Sequence, residues 1–126
     1  MNTRDILLVD DDIHSLHILS SILHYRGFDV RATSDGIEAL EIMECERFRM
    51  LIIDLEMPKM SGLELAMKVR ERHPDMHIVM VTGSYLPEIV EPAADAGISL
   101  VMAKPVDCAK LVSAIRSSLP KHTASD

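Results

Sequence analysis

Five short segments carry apolar residues in runs or in alternation, and between them the apolar positions recur at helical spacing. Ile6-Leu7-Leu8-Val9, Met50-Leu51-Ile52-Ile53, Ile78-Val79-Met80-Val81 and Leu100-Val101-Met102-Ala103 are continuous apolar runs. Runs this short, separated by helical stretches, predict strands of a parallel sheet buried on both faces. Phe28-Asp29-Val30-Arg31-Ala32 alternates instead, which suits an edge strand.

The helices announce themselves by stripe and cap. After Asp12, a plausible N-cap, Leu16, Leu19 and Leu23 recur with Ile13 and Ile22 beside them. Gly27 ends that helix as a C′ glycine would. Asp35-Gly36-Ile37-Glu38 reads as a capping box for a second helix with Ile37, Leu40 and Met43 on its core side. Ser61-Gly62-Leu63-Glu64 is a cleaner box for a third, which must stop before His73-Pro74. Asp107 can cap a last helix with Cys108, Leu111, Val112, Ile115 and Leu119 in one stripe, ended by Pro120. Between Thr82 and Gly97 the pattern is less regular. Pro87 fits a first turn, but Pro92 in the interior removes a hydrogen bond and meets the carbonyl of Glu88. A fourth helix there is expected to start late, kink or be short. Five strands alternating with five helices predict a three-layer α/β/α sandwich. With the edge-like strand second and crossovers right-handed, the expected parallel order is 2-1-3-4-5, with its switch point between the first and third strands.

Each of the four apolar runs ends in a polar residue. The first leads into Asp10-Asp11-Asp12, the third strand ends in Asp54, the fourth in Thr82, and the fifth in Lys104-Pro105. Ligands of open α/β sheets bind beyond the carboxyl ends of the strands, so these residues should meet. Clustered carboxylates must gain protons or a cation, and a hard divalent ion such as Mg²⁺ suits oxygen ligands that leave room for water. One carboxylate then serves as a nucleophile that carries an aspartyl phosphate, with Lys104 as point charge and Thr82 as hydroxyl donor. Singly these are ordinary features: a cap, a loop aspartate, a turn threonine, a surface lysine. Their joint placement at four strand ends carries the inference.

Composition bounds the reading. The chain has 126 residues, one domain's worth, with 48% apolar but only 3% aromatic residues. Its core must therefore rest on aliphatics and its nine methionines, read as filler. A net charge of −7 argues against nonspecific nucleic-acid binding. No apolar stretch approaches a membrane span and no signal peptide is visible, so no membrane partner is expected. Cys45 and Cys108 lack metal-ligand spacing and read as free thiols. His14, His17 and His24 read as exposed residues of the first helix rather than metal ligands.

The chain resembles the receiver domain of two-component response regulators. The matching residues are Asp10-Asp11, Asp54, Met57-Pro58, Ser61-Gly62, Thr82-Gly83, Ala96-Gly97 and Lys104-Pro105, spread from Ile6 to Leu119. The resemblance implies a flavodoxin-like (CheY-like) fold and a signalling function in the cytoplasm. It implies a phosphoacceptor, Asp54, charged by a sensor histidine kinase or histidine phosphotransfer protein, and a domain that is no enzyme beyond its own phosphorylation and dephosphorylation. By the same resemblance Mg²⁺ (or Mn²⁺) is held by Asp11, Asp54 and the backbone carbonyl of Glu56, with Asp10 acting through water. Asp12 is left to capping. Lys104 pairs with the phosphoryl group, Thr82 moves towards it, the Lys104-Pro105 bond is cis, and the Glu56 side chain influences loss of the phosphate to water. An output domain or downstream partner is implied, no direct contact with nucleic acid, and a homodimer through the fourth-helix, fifth-strand, fifth-helix face is an option. Residues 1–120 form the expected domain and 121–126 a polar tail or linker start. Met1-Asn2-Thr3 reads as a natural start, and the length of any intact chain is left open.

Two departures bear on output. The family's inward-turning aromatic, three positions before the lysine, is here Val101, and Pro92 sits beside the face that commonly carries the signal. The expected switch region is therefore Thr82, Gly83, Ser84, Val101 and Pro105, working without an aromatic gate. Two alternatives stand against this reading. A haloacid-dehalogenase-like phosphatase would use Asp10 as nucleophile in an Asp-x-Asp pattern with Asp12, but His14 stands where Thr or Val is expected and Asp54 would have no role. A degenerate receiver would serve only as an interaction module.

Overall fold

The structure, a computed structural model, describes residues 3–84 and 86–119. Its elements run β1 (Thr3–Val9), α1 (Ile13–Tyr25), β2 (Val30–Thr33), α2 (Gly36–Cys45), β3 (Arg47–Asp54), α3 (Gly62–Arg72), β4 (His77–Thr82), α4 (Leu86–Asp95), β5 (Leu100–Ala103) and α5 (Cys108–Ser118). All pairings are parallel and the order is β2-β1-β3-β4-β5, as the crossover rule requires. The expected tail, 121–126, and Pro120 lie outside the described residues.

The sheet is buried on both faces because neighbouring residues of one apolar run enter different cores. Leu7, Val9, Leu51, Ile53, Ile78 and Met80 pack with Ala39, Ile42, Leu65, Ala66, Val69 and Ala93 of α2, α3 and α4. Ile6, Leu8, Met50, Ile52, Val79 and Val81 pack with Leu16 and Leu23 of α1 and Leu111, Val112 and Ile115 of α5. This two-sided burial explains the continuous apolar runs of the three central strands.

Several local expectations hold. Asp12 caps α1, its Oδ1 accepting from the amides of His14 at 3.1 Å and Ser15 at 3.3 Å. Gly27, at φ +95°, lies just past the end, where Phe28 N donates to Leu23 O at 3.1 Å. The α3 cap Ser61 accepts from Glu64 N at 3.2 Å, and the helix stops at Arg72. The α5 stripe is buried at Leu111, Val112, Ile115 and Leu119.

Others need correction. Ile37 is 51% exposed; Met43 is buried and Leu40 half-buried as expected, and Ala39 and Ile42 complete the face against the sheet. The α2 box is not closed: Asp35 caps Ile37 N at 2.8 Å, while Glu38 turns to the Thr33 hydroxyl. Ile13 is 63% exposed at the open end of α1. Phe28 and Asp29 precede β2, although Asp29 O still accepts from the amides of Asp5 and Ile6, each at 3.1 Å. The last apolar run, expected to be buried, is only half covered, since β5 pairs with β4 alone and forms the second edge. Helix α4 starts at Leu86 and runs ten residues through Pro92. Beyond it, Arg70 at the end of α3 donates to His73 O at 3.1 Å, Pro74 O at 2.7 Å and Gly97 O at 2.6 Å.

Candidate functional site

The strand ends converge at the carboxyl edge of the sheet. Asp10 and Asp11 follow β1, Asp54 ends the adjacent β3, Thr82 ends β4, and Lys104 follows β5. One carboxylate oxygen from each of Asp10, Asp11 and Asp54 lies within 4.8 Å of the others. The switch point of the sheet therefore holds three acidic groups, as the order of strands dictates. The third member of the triplet is outside this group, since Asp12 caps α1, and Asp12 N donates to Asp10 Oδ1 at 2.9 Å. The Ser15 amide first, then the Ser15 hydroxyl and the His14 amide, hold the Asp12 carboxyl below its usual range.

Asp54 is the buried member, 4% exposed, and Lys104 Nζ meets its Oδ1 at 2.9 Å. Glu56 N also donates to that oxygen, at 3.3 Å. Burial pushes the Asp54 carboxyl up to about 6, Lys104 opposes the rise, and the charge of Asp10 adds to it. At neutral pH the group is thus an ionised carboxylate whose solvation is poor and whose cationic partner among the described residues is Lys104. Burial alone would lower Lys104, but the bond to Asp54 and the charges of Asp54, Asp10 and Glu56 outweigh it and hold the ammonium above its ordinary value.

The loop geometry is set by backbone approach. A Cβ at residue 62 would lie 2.6 Å from Asp54 O and 2.8 Å from Leu55 Cα, so only glycine lets α3 begin against the end of β3. The Lys104-Pro105 bond is cis, and Lys104 N donates to Thr82 O at 2.8 Å, which brings the β5 end to the β4 end. This role of Gly62 was hidden in sequence, where Ser61-Gly62 already had a sufficient explanation as a cap. The partners of the Glu56 side chain were hidden likewise. Its carboxylate accepts from Thr82 Oγ1 at 2.6 Å, Ser84 Oγ at 2.7 Å and Gly83 N at 3.0 Å. Burial alone would raise its carboxyl, but these bonds, Thr82 first, hold it below its usual range. Nothing in the sequence pairs residue 56 with residues 82–84, because the β3–β4 register creates the contact.

A cleft of about 250 Å³ opens beside Asp54 and Lys104, walled by Ile18, Leu19, Ile22 and Val106. A larger one, about 770 Å³, lies at the opposite edge among Arg47, Arg72, His73 and His77, and contains none of the converging residues. Val101 lies in β5, half-buried against the α2-α3-α4 core.

A doubly wound sheet whose carboxyl edge gathers three acidic groups and a lysine is the arrangement of receiver-type α/β signalling domains. The chain belongs to the response regulator receiver domain family, whose model matches residues 6–116. It is 31% identical over 121 residues to the response regulator MprA of Mycobacterium leprae, covering 96% of this chain and 53% of that protein. It thus spans about half the length of such relatives. Among solved structures, a receiver domain protein from Methanospirillum hungatei is similar at TM-score 0.86 and 32% identity, covering 92% of this chain and 93% of that one. A response regulator from Burkholderia pseudomallei, solved with a phosphorylated aspartic acid and a calcium ion, is similar at TM-score 0.81 and 26% identity, covering 96% of this chain and 69% of that one. Family membership removes the ground for the phosphatase alternative. Among the described residues no helix is long and apolar enough to cross a membrane.

Proposed function

We propose that the chain is a working phosphoacceptor with Asp54 as the nucleophile. The observation that carries this is the pairing of a buried Asp54 with Lys104 at 2.9 Å beside two further carboxylates. An Asp54 carboxylate oxygen forms the new O–P bond as the P–N bond of a donor phosphohistidine breaks, and the departing imidazole keeps the electron pair and takes a proton. Lys104 then exchanges part of its contact with Asp54 for a phosphoryl oxygen, and the Thr82 hydroxyl donates to another.

The donor set fits a hard cation: three carboxylates bring oxygens together, and no sulfur or imidazole is among them. Asp11, Asp54 and the Glu56 carbonyl would hold Mg²⁺ or Mn²⁺, with Asp10 acting through water. When bound, the ion offsets the negative charge that gathers as phosphoryl oxygens approach the carboxylates. The domain catalyses only its own phosphorylation and dephosphorylation. Its partners on this reading are a histidine kinase or phosphotransfer protein in the cytoplasm and an output domain or downstream protein, with a homodimer through α4, β5 and α5 as one form of output. The domain extends to residue 120. Val101 supports switching through Thr82, Gly83 and Ser84, with Pro105 holding the end of β5, rather than through an aromatic side chain.

The Burkholderia relative with its phosphorylated aspartic acid supports this reading. The test is labelling with acetyl phosphate and magnesium. Asp54→Asn is expected to abolish labelling and Asp10→Asn only to slow it. The reverse result would make Asp10 the nucleophile, and no labelling of the native chain would favour an interaction module.

A further inference from the structure

The hydroxyl of Thr82 is already committed. It donates its single proton to Glu56 Oε2 at 2.6 Å and accepts from Ser84 N at 2.9 Å. Ser84 Oγ donates to the same Glu56 oxygen at 2.7 Å, and Gly83 N to the other at 3.0 Å. One carboxylate on the β3 loop therefore ties down three consecutive residues, the last of β4 and the two that follow it. A hydroxyl has one proton, so Thr82 cannot donate to Glu56 and to a phosphoryl oxygen on Asp54 at once.

We propose that Glu56 is a positioning residue that latches Thr82 and Ser84 in the unphosphorylated form and competes directly with the phosphoryl group for the Thr82 proton. The inference rests on the reading of Asp54 as phosphoacceptor and adds to it the contact that must break. Charge-assisted bonds to a carboxylate are stronger than neutral ones, so the latch biases the resting equilibrium towards the off arrangement. A phosphoryl mimic binds with an affinity reduced by the fraction of molecules still latched.

Removing Glu56 also removes a negative charge near an incoming anion, and the test separates the two effects. Beryllofluoride, with saturating magnesium, is titrated against each variant while the amide signals of Gly83 and Ser84 are followed by NMR. Glu56→Gln loses the charge but keeps an oxygen for the Thr82 proton, whereas Glu56→Ala loses both. The alanine variant is expected to bind the mimic about three- to tenfold more tightly than the glutamine variant, the range of a hydrogen bond of ordinary net strength. In a Thr82→Ala background that difference should vanish. Glu56→Asp, which keeps the charge on a shorter arm, should also bind more tightly than the native chain and serves if Glu56→Ala does not fold. Equal affinities for the alanine and glutamine variants, or a difference that persists without the Thr82 hydroxyl, would overturn the latch alone. A native chain that does not bind the mimic would overturn the phosphoacceptor reading and the latch with it.

Discussion

Lys104 Nζ lies 2.9 Å from Asp54 Oδ1, yet the two side chains are unequally covered, at 34% and 3% exposure. The lysine side chain is partly open to water while the aspartate is almost covered. Desolvation thus falls mainly on Asp54, and the pair is held together without being fully compensated.

This inequality sets a pH dependence. Without metal, Asp54 keeps its proton to about 6 in the folded chain against 3.8 in the ordinary state. The folded state binds the extra proton between those values, so stability falls as pH rises through that window. The full difference is worth up to about 3 kcal/mol above it, and fades to about 0.2 kcal/mol near pH 3.5, where both states are mostly protonated. In chelator, Asp54→Asn should be more stable than the native chain near neutral pH and nearly equal to it near pH 3.5. Denaturant melts that run parallel across this range would contradict the assignment.

Magnesium should reverse the penalty. Three carboxylates within 4.8 Å repel until a cation joins them. At roughly a hundredfold excess over its dissociation constant, the ion should stabilise the fold by about 2.7 kcal/mol. Thermal melts should show the rise, its reversal by chelator, and its loss in Asp11→Asn. That variant should be slightly more stable than the native chain when no metal is present. A magnesium-induced rise of native size in Asp11→Asn would remove this residue from the metal site.

Gly62→Ala should be costly although α3 itself would welcome alanine. The added Cβ would sit 2.6 Å from Asp54 O, so β3 or α3 must shift. A loss of about 1–3 kcal/mol is expected from this overpacking. Ser61→Ala, one residue away, should cost about 1 kcal/mol through the lost cap. Urea titration of both variants decides the matter, and a Gly62→Ala midpoint equal to the native one would show that the close approach is soft.

Helix α4 contains Pro92, which has no N–H for the Glu88 carbonyl. Pro92→Ala should stabilise the domain by about 1 kcal/mol or more, raising the melting temperature by roughly 3–5 °C. An unchanged or lower melting temperature would mean that the surrounding packing already absorbs the proline.

Much of this was legible from the sequence because burial on both faces forces continuous apolar runs, and because strand ends in a parallel sheet share one edge. Asp10, Asp11, Asp54, Thr82 and Lys104 could be brought together on those grounds alone. What stayed hidden depended on closeness rather than on pattern. Of the three apolar residues expected to face the core from α2 only Ile37 is exposed, and Ala39 makes the tight contact, since a small residue carries little hydrophobic signal. The apolar run of β5 overstated its burial, although the expected strand order already put it at an edge. Glu56 could be placed near the site but not against Thr82, because side-chain reach across two loops leaves no periodic trace.

Arg70 grips the far end of α4. Its guanidinium joins the carbonyls of His73 and Pro74, after α3, to that of Gly97, two residues past the last residue of α4. The near end of α4 begins two residues after Ser84, the residue that Glu56 holds. The two flanks of α4 are thus held by separate contacts, Glu56 before it and Arg70 after it. Release of Ser84 would free the first of these while leaving the second in place.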